Sequence, residues 1–165
     1  MSTYIQLLTQ RFGAEAIRAS EFRDNKRLLV PAAQLFDVMS ALKSECGFDM
    51  LADVAGVDYL HYPNAADRYA VIYGLTNTNT GERVFVKVML NDPDPAVASV
   101  YPLWKGANWM EREVYDMFGV VFNGHPDLRR ILMPEASACW PLRKDYPLRG
   151  RGERHNFPVI TRAES

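Results

Sequence analysis

The chain has 165 residues, with 19 lysines and arginines against 20 aspartates and glutamates, three histidines and two cysteines. This length predicts one domain with a substantial core, and the net charge of −1 argues against a general nucleic-acid-binding protein. The longest stretch without a charged residue, at 69–81, is too short for a transmembrane helix, and the N-terminus has no signal-peptide pattern.

The N-terminal part of the chain alternates short helices and strands. Apolar periodicity predicts a first helix that ends at Gly13. Two short strands follow at 16–22 and 26–30, separated by turn residues. Pro31 suits the first position of a second helix, which is expected to run roughly to Cys46.

The middle of the chain is predicted to be β-structure. Residues 48–60 form either one bent strand or two, and 69–77 with 83–90 read as a hairpin. In the second arm of this hairpin, alternate residues are apolar, which predicts a sheet with one face packed on helices: Val84, Val86, Val88 and Leu90. A short helix is expected near 96–101.

The strongest helix signal covers residues 106–119. Asn108 and Glu111 fit a capping box at its start, and Arg112 and Asp116 are spaced as an i, i+4 ion pair. The element order therefore predicts an α+β fold with a mixed or antiparallel sheet packed on helices.

The last residues change character. Five of the ten prolines fall after residue 125, and residues 143–154 carry five basic and two acidic side chains. Such a segment makes neither an ordinary helix nor an interior strand, yet it holds apolar anchors that include Trp140, Leu142 and Phe157. We therefore predict a domain at 1–133 and an extended, Pro/Arg-rich C-terminal arm at 134–165 that docks on partner subunits.

No set of metal or cofactor ligands is evident in the sequence. Cys46 and Cys139 lie 93 residues apart, and the three histidines lack metal-ligand spacing. The chain alone is therefore not expected to hold an iron–sulfur cluster, a Cys₄ zinc site or any other metal. The two thiols are expected to be inert, in a reducing cytosolic compartment.

One segment carries most of the chemical signal. From Glu111 the sequence reads E-R-E-x-x-D-M-F-G-x-x-F-x-G-H-P-D-L-R-R-I-L. This run resembles the signature of the 30-kDa-type (C-type) subunit family of respiratory complex I, NADH:quinone oxidoreductase. The run W-P-L-R-K-D-Y-P-L at 140–148 is similar to the C-terminal arm of the same family. The resemblance covers roughly residues 30–150.

The resemblance implies a non-catalytic subunit of the peripheral arm. FMN, iron–sulfur clusters and the quinone site would belong to partners, and this chain would hold no cofactor and no metal. The implied partners are the 49-kDa-type (D-type) subunit and the cluster-carrying subunits B and I, on the cytoplasmic face of the bacterial inner membrane. The residues expected at the subunit interface are Glu111, Arg112, Glu113, Asp116, His125, Asp127, Arg129, Arg130, Arg143, Lys144, Asp145 and Tyr146.

Several alternatives remain at this point. The chain fits an equivalent subunit of a membrane-bound hydrogenase, a formate hydrogenlyase or an F420- or ferredoxin-dependent dehydrogenase. In a second alternative, the chain is a stand-alone enzyme with Glu111, Glu113 and His125 as its acid–base groups. The competing interpretation is that the glutamates are structural and that His125 braces its loop. Lipid phosphate or nucleic acid would bind to the basic residues Arg129, Arg130, Arg143 and Lys144, although interface ion pairs are favoured because acidic residues are interspersed.

Overall fold

The computed structural model describes residues 3–13 and 16–151, and within them the chain forms three α-helices and seven strands. The elements in chain order are α1 (Thr3–Phe12), β1 (Arg18–Phe22), β2 (Asn25–Leu29), a 3₁₀ turn (Ala32–Gln34), α2 (Leu35–Ser44), β3 (Met50–Asp58), β4 (Tyr69–Thr76), β5 (Arg83–Leu90), β6 (Ala96–Ala98), α3 (Ala107–Phe118) and β7 (Val121–Asn123). The predicted α+β fold is confirmed. No helix in the described ranges is long and apolar enough to cross a membrane.

Five strands form a mixed sheet in the order β1-β2-β5-β4-β3. Neighbouring strands are antiparallel except β2 and β5, which run parallel. The region at 48–60 forms the single strand β3, with a register shift between Leu51 and Asp53. A short parallel pair, β6 and β7, forms a second sheet.

The core lies between one face of the large sheet and the helices. Val84, Val86 and Val88 on β5 are completely buried, as the alternation in the sequence predicts. They belong to one hydrophobic cluster with the helix residues Leu8, Leu35, Met39 and Leu42. The predicted hairpin at 69–90 is confirmed and forms the centre of the sheet.

Two helix predictions need correction. The segment at 96–101 begins with a strand rather than a helix, because Ala96–Ala98 pairs with Val121–Asn123, a partner more than twenty residues away. The second helix is shorter than expected, since a 3₁₀ turn follows Pro31 and the α-helix spans only Leu35–Ser44. Non-local pairing overrides the weak local pattern in such short segments.

Candidate functional site

Helix α3 divides the signature side chains between the core and the surface. Asp116 is completely buried at the end of the helix, while Glu113 and Trp109 are exposed one and two turns earlier. Residues spaced by three or four share one side of a helix, and on that side Arg112 and Asp116 bind the loop that follows β7. We call residues 125–133 the signature loop.

The buried carboxylate of Asp116 binds the backbone of the signature loop. Its Oδ2 accepts hydrogen bonds from three successive backbone N–H groups, those of Ile131 at 3.0 Å, Leu132 at 2.7 Å and Met133 at 2.8 Å. Its Oδ1 forms an ion pair with Arg130 Nη1 at 2.7 Å. Burial alone raises the pKa of Asp116, but the Met133 N–H, Arg130 and the other donors outweigh burial and lower the pKa.

Arg112 also binds the backbone of the signature loop. Its Nε and Nη2 donate to the backbone carbonyls of Arg129 and Arg130, each at 3.1 Å. The i, i+4 pair predicted between Arg112 and Asp116 is wrong, because each side chain instead binds the loop. One side chain therefore satisfies the carbonyls of the loop and the other satisfies its N–H groups.

Glu111 is completely buried and lies away from the loop. Its Oε2 accepts a hydrogen bond from Ser99 Oγ at 2.6 Å, and its Oε1 accepts one from the Val100 N–H at 2.8 Å. The predicted capping box with Asn108 is wrong, since Gly106 precedes the helix and no side chain caps it. Burial raises the pKa of Glu111 to about 7, opposed by the bonds from Ser99 and Val100.

His125 braces the signature loop, as the structural alternative in the sequence analysis predicts. Nδ1 accepts the Asp127 N–H at 3.1 Å, and Nε2 lies 3.1 Å from the Asn108 carbonyl oxygen. These contacts require the proton on Nε2. Both ring nitrogens are bound to backbone, and Glu111 is bound elsewhere, so the structure does not join these groups in an acid–base pair.

The described part of the arm lies along the end of α3. The Leu142 N–H donates to the Met117 carbonyl at 3.1 Å, and Arg143 Nε donates to the Phe118 carbonyl at 2.6 Å. These bonds satisfy carbonyls that a helix end leaves without a helical partner. The first of them joins two backbone groups, so it fixes the path of the arm independently of the side chains. Residues 152–165, which include the predicted anchor Phe157, lie outside the described residues.

Lys144, Asp145 and Tyr146 continue the arm across the edge of the sheet. The Lys144 N–H donates to Asp58 Oδ2 at 2.8 Å, and Asp145 Oδ2 forms an ion pair with Arg68 Nη2 at 2.7 Å. The Tyr146 N–H donates to the Arg143 carbonyl at 3.1 Å. Docking of residues 134–165 on a partner stays a prediction, because these contacts are within the chain.

Sequence reasoning missed Arg68, which connects three segments of the chain. Its guanidinium contacts Asp58 at 3.3 Å, Asp92 at 2.7 Å and Asp145 at 2.7 Å. Burial lowers the pKa of Arg68, but the hydrogen bonds that Arg68 donates to Asp145 and the other carboxylates outweigh burial, so the pKa is raised. The three aspartates lie 10, 24 and 77 residues from Arg68 along the chain, so the sequence carries no local signal for this role.

The signature loop presents two aliphatic side chains to solvent. Leu132 is 62% exposed and Ile131 is 38% exposed, although the backbone N–H groups of both are bound by a buried carboxylate. Trp109 on α3 is 60% exposed. Asp127 and Arg129, in the same loop as Ile131 and Leu132, form an exposed ion pair at 2.9 Å. We call Trp109, Glu113, Asp127, Arg129, Ile131 and Leu132 the signature surface.

The cysteines and the possible metal ligands are the remaining candidate groups. Cys46 and Cys139 are half-buried thiols. Between residues 3 and 151, leaving out 14 and 15, no three His, Cys, Asp or Glu side chains are grouped as a metal site. The expectation that this chain binds no cofactor stays a prediction.

Comparison with known proteins identifies the family. The family profile described as "Respiratory-chain NADH dehydrogenase, 30 Kd subunit" matches residues 28–152. A protein of Trichlorobacter lovleyi, named as the C subunit of an NADH-quinone oxidoreductase, is 41% identical over 148 residues, which cover 90% of each chain. The profile match contains both the signature loop and the described arm.

Two solved structures share the fold. The trypsin-resistant fragment (1–134) of Nqo5 is 36% identical, with a TM-score of 0.68, and the match covers 76% of this chain and all of the fragment. A chain of an archaeal membrane-bound sulfane sulfur reductase has a TM-score of 0.76 at 21% identity, covering 96% of this chain and 91% of that one. The latter likeness shows the fold alone. The chain belongs to the family of the 30-kDa subunit of the respiratory-chain NADH dehydrogenase.

Proposed function

We propose that this chain is a non-catalytic structural subunit in the peripheral arm of a proton-translocating NADH:quinone oxidoreductase. Family membership and the names of its relatives support this proposal. The assembly transfers electrons from NADH to a quinone, and we assign its FMN and iron–sulfur centres to partner subunits. The proposed partners are the 49-kDa-type (D-type) subunit and the cluster-carrying subunits B and I, at the cytoplasmic face of the bacterial inner membrane.

The signature loop is the observation that carries the proposal. Asp116 and Arg112 bind its backbone, so Ile131 and Leu132 project from a loop whose shape is fixed before any partner arrives. Exposed apolar side chains on a rigid support are typical of interface anchors. The charged signature residues therefore serve to hold a docking surface rather than to perform a reaction.

The related hydrogenase-type and dehydrogenase-type complexes are less well supported. The sulfane sulfur reductase chain is 21% identical and shows only a common fold. The NADH-quinone oxidoreductase relative is 41% identical over nearly the whole chain. This difference favours the respiratory assembly.

A matched pair of substitutions tests the proposed interface. Leu132→Asp places a charge on the signature surface, and Leu60→Asp makes the same change at an exposed leucine in the β3–β4 connection, which is 42% exposed. Each variant is tagged, expressed in cells that lack the native chain, and isolated from native membranes.

We expect Leu132→Asp to lose most of the co-purifying oxidoreductase subunits, while Leu60→Asp retains them. Both variants should melt within a few degrees of the unmodified chain, since exposed sites tolerate such changes. Full co-purification of Leu132→Asp would contradict the assignment of the signature surface as an interface.

A further inference from the structure

A second surface lies on the face of the large sheet opposite the core. On β5, Phe85, Lys87 and Met89 alternate with the buried valines and point away from the helices. Residues paired across strands share a face, so Ile72 lies beside Lys87, and Ala55 lies beside Ile72. We call the surface formed by these side chains the open face; its residues are Ala55, Val57, Ile72, Phe85, Lys87 and Met89.

The open face contains a shallow depression built by strands. It has a volume of about 380 Å³ and is lined by Asn25, Arg27, Tyr59, Ile72, Phe85 and Lys87. Tyr59 directly follows β3, and the other five lie on β2, β4 and β5. Helix residues are not part of this lining, so the depression faces away from the helical layer.

The sequence of β4 is that of a strand covered on both sides. Residues 69–76 read Y-A-V-I-Y-G-L-T and contain no charged side chain. A strand with one solvated face usually alternates apolar and polar residues, whereas a continuous apolar run is typical of a strand buried on both faces. The described helices pack on one face only, so the other face of this apolar strand has no helical layer from residues 3–13 and 16–151.

The basic side chains around the open face lack carboxylate partners. Arg18, Arg27, Arg83 and Lys87 lie on this side by their strand register, and none forms an ion pair within residues 3–13 and 16–151. Lys87 Nζ donates instead to Tyr59 Oη at 2.9 Å. Asp53 and Asp67 lie at opposite ends of the face.

We propose that the open face binds an amphipathic helix of a partner protein whose apolar stripe is flanked by aspartates and glutamates. The apolar centre at Ile72 and Phe85 takes the stripe, and the unpaired cations take the carboxylates. A helix laid on this face would cover the apolar side chains that the described helices leave uncovered. Charge complementarity selects an acidic partner over a basic one.

Hydroxyl-radical footprinting tests this inference together with the proposed function while keeping the two separable. The tagged full chain is labelled alone and in the assembly isolated from native membranes, and oxidation of individual side chains is read by mass spectrometry. Phe85 and Met89 report on the open face, Trp109 reports on the signature surface, and Tyr62, which is 67% exposed, serves as the reference.

We expect at least threefold protection of Phe85 and Met89 in the assembly. Protection of Trp109 without Phe85 and Met89 would overturn the open-face inference and leave the proposed function standing. Isolation of the chain only as a monomer, with no protection anywhere, would overturn both.

A matched pair of charge reversals tests the chemistry of the partner. Lys87→Glu acts on the open face, and Lys43→Glu acts on the helical side. Lys87 donates a hydrogen bond to Tyr59 Oη and makes a cation–π contact with the Tyr59 ring. Lys43 likewise donates one hydrogen bond, to the Leu103 carbonyl, and makes one cation–π contact, with Trp104. We expect Lys87→Glu to lower incorporation into the assembly at least fivefold relative to Lys43→Glu at equal melting temperature.

Other occupants give other results. If the isolated chain sediments as a dimer that Phe85→Asp abolishes, the occupant is a second copy and the inference is wrong. Retention on vesicles of anionic lipid, lost in Lys87→Glu, would likewise replace the acidic helix with a membrane surface. Equal incorporation of Lys87→Glu and Lys43→Glu would contradict an acidic partner.

Discussion

Asp116 and Arg130 form an ion pair of 2.7 Å in which the aspartate is completely buried and the arginine side chain is 10% exposed. The same aspartate binds the N–H groups of the three residues that follow Arg130. One carboxylate thus determines the path of the loop backbone and the direction of its exposed side chains.

Removing this carboxylate should release the loop. We expect Asp116→Ala to lower the free energy of unfolding by about 3–5 kcal/mol, because it leaves a nearly buried arginine and three N–H groups unpaired. Asp127→Ala is the control, since it removes an exposed ion pair with Arg129 and should cost about 0–1 kcal/mol. Urea unfolding measures both, and equal costs would contradict the role of Asp116.

Glu111 predicts a pH dependence of stability. Its pKa is about 7 in the folded chain, because burial raises it, against an ordinary value of 4.5. Between these values the folded chain holds a proton that the unfolded chain has lost, so stability falls as pH rises through this window, by up to roughly 3 kcal/mol.

Glu111→Gln removes this titration. The difference in unfolding free energy between the unmodified chain and Glu111→Gln should therefore change between about pH 5 and about pH 8, in favour of the variant at the higher pH. Urea unfolding at the two pH values measures it. A constant difference would show that Glu111 titrates normally.

Gly56 allows close packing of α3 on β3. A Cβ at this position would lie 2.5 Å from the Phe118 ring and 3.1 Å from Val114 Cγ1. Gly56→Ala should destabilise the fold by about 1–3 kcal/mol through overpacking. Gly106→Ala, where a Cβ meets open space at φ −62°, should be nearly neutral in the same denaturation experiment.

Gly119 allows the arm to pass close to the end of α3. A Cβ there would lie 2.7 Å from both Arg143 Nη2 and Trp140 Cε2, and the residue has φ +76°. Gly119→Ala should detach the arm and speed tryptic cleavage after Arg143 and Lys144 severalfold. Gly81→Ala is the control, because φ is +73° there but no atom lies within 4 Å. Similar cleavage of both variants would argue against a docked arm.

The sequence predicts those elements whose pattern is local. The β4–β5 hairpin follows from strict alternation, and α3 follows from apolar residues that recur once per turn before Gly119. The strand β6 is missed because three residues are too few to show a period, and its partner β7 is distant in sequence.

The site is less predictable than the fold. The signature segment is recognisable, but spacing alone suggests that Asp116 pairs with Arg112 on its own helix. The actual partners of Asp116 are Arg130 and the N–H groups of the loop, and only the folded chain brings these groups next to α3. Arg68 belongs to no motif, and it binds three aspartates that the fold brings together.

The central claim is that this chain is a subunit of an NADH:quinone oxidoreductase. The composition of the assembly that contains it in native membranes tests this claim most directly. A tagged full chain should be isolated with the subunits of an NADH-quinone oxidoreductase in equal amounts, and that preparation should reduce quinone with NADH. Isolation of the chain as a free monomer, with the oxidoreductase assembling normally in cells that lack it, would contradict the claim.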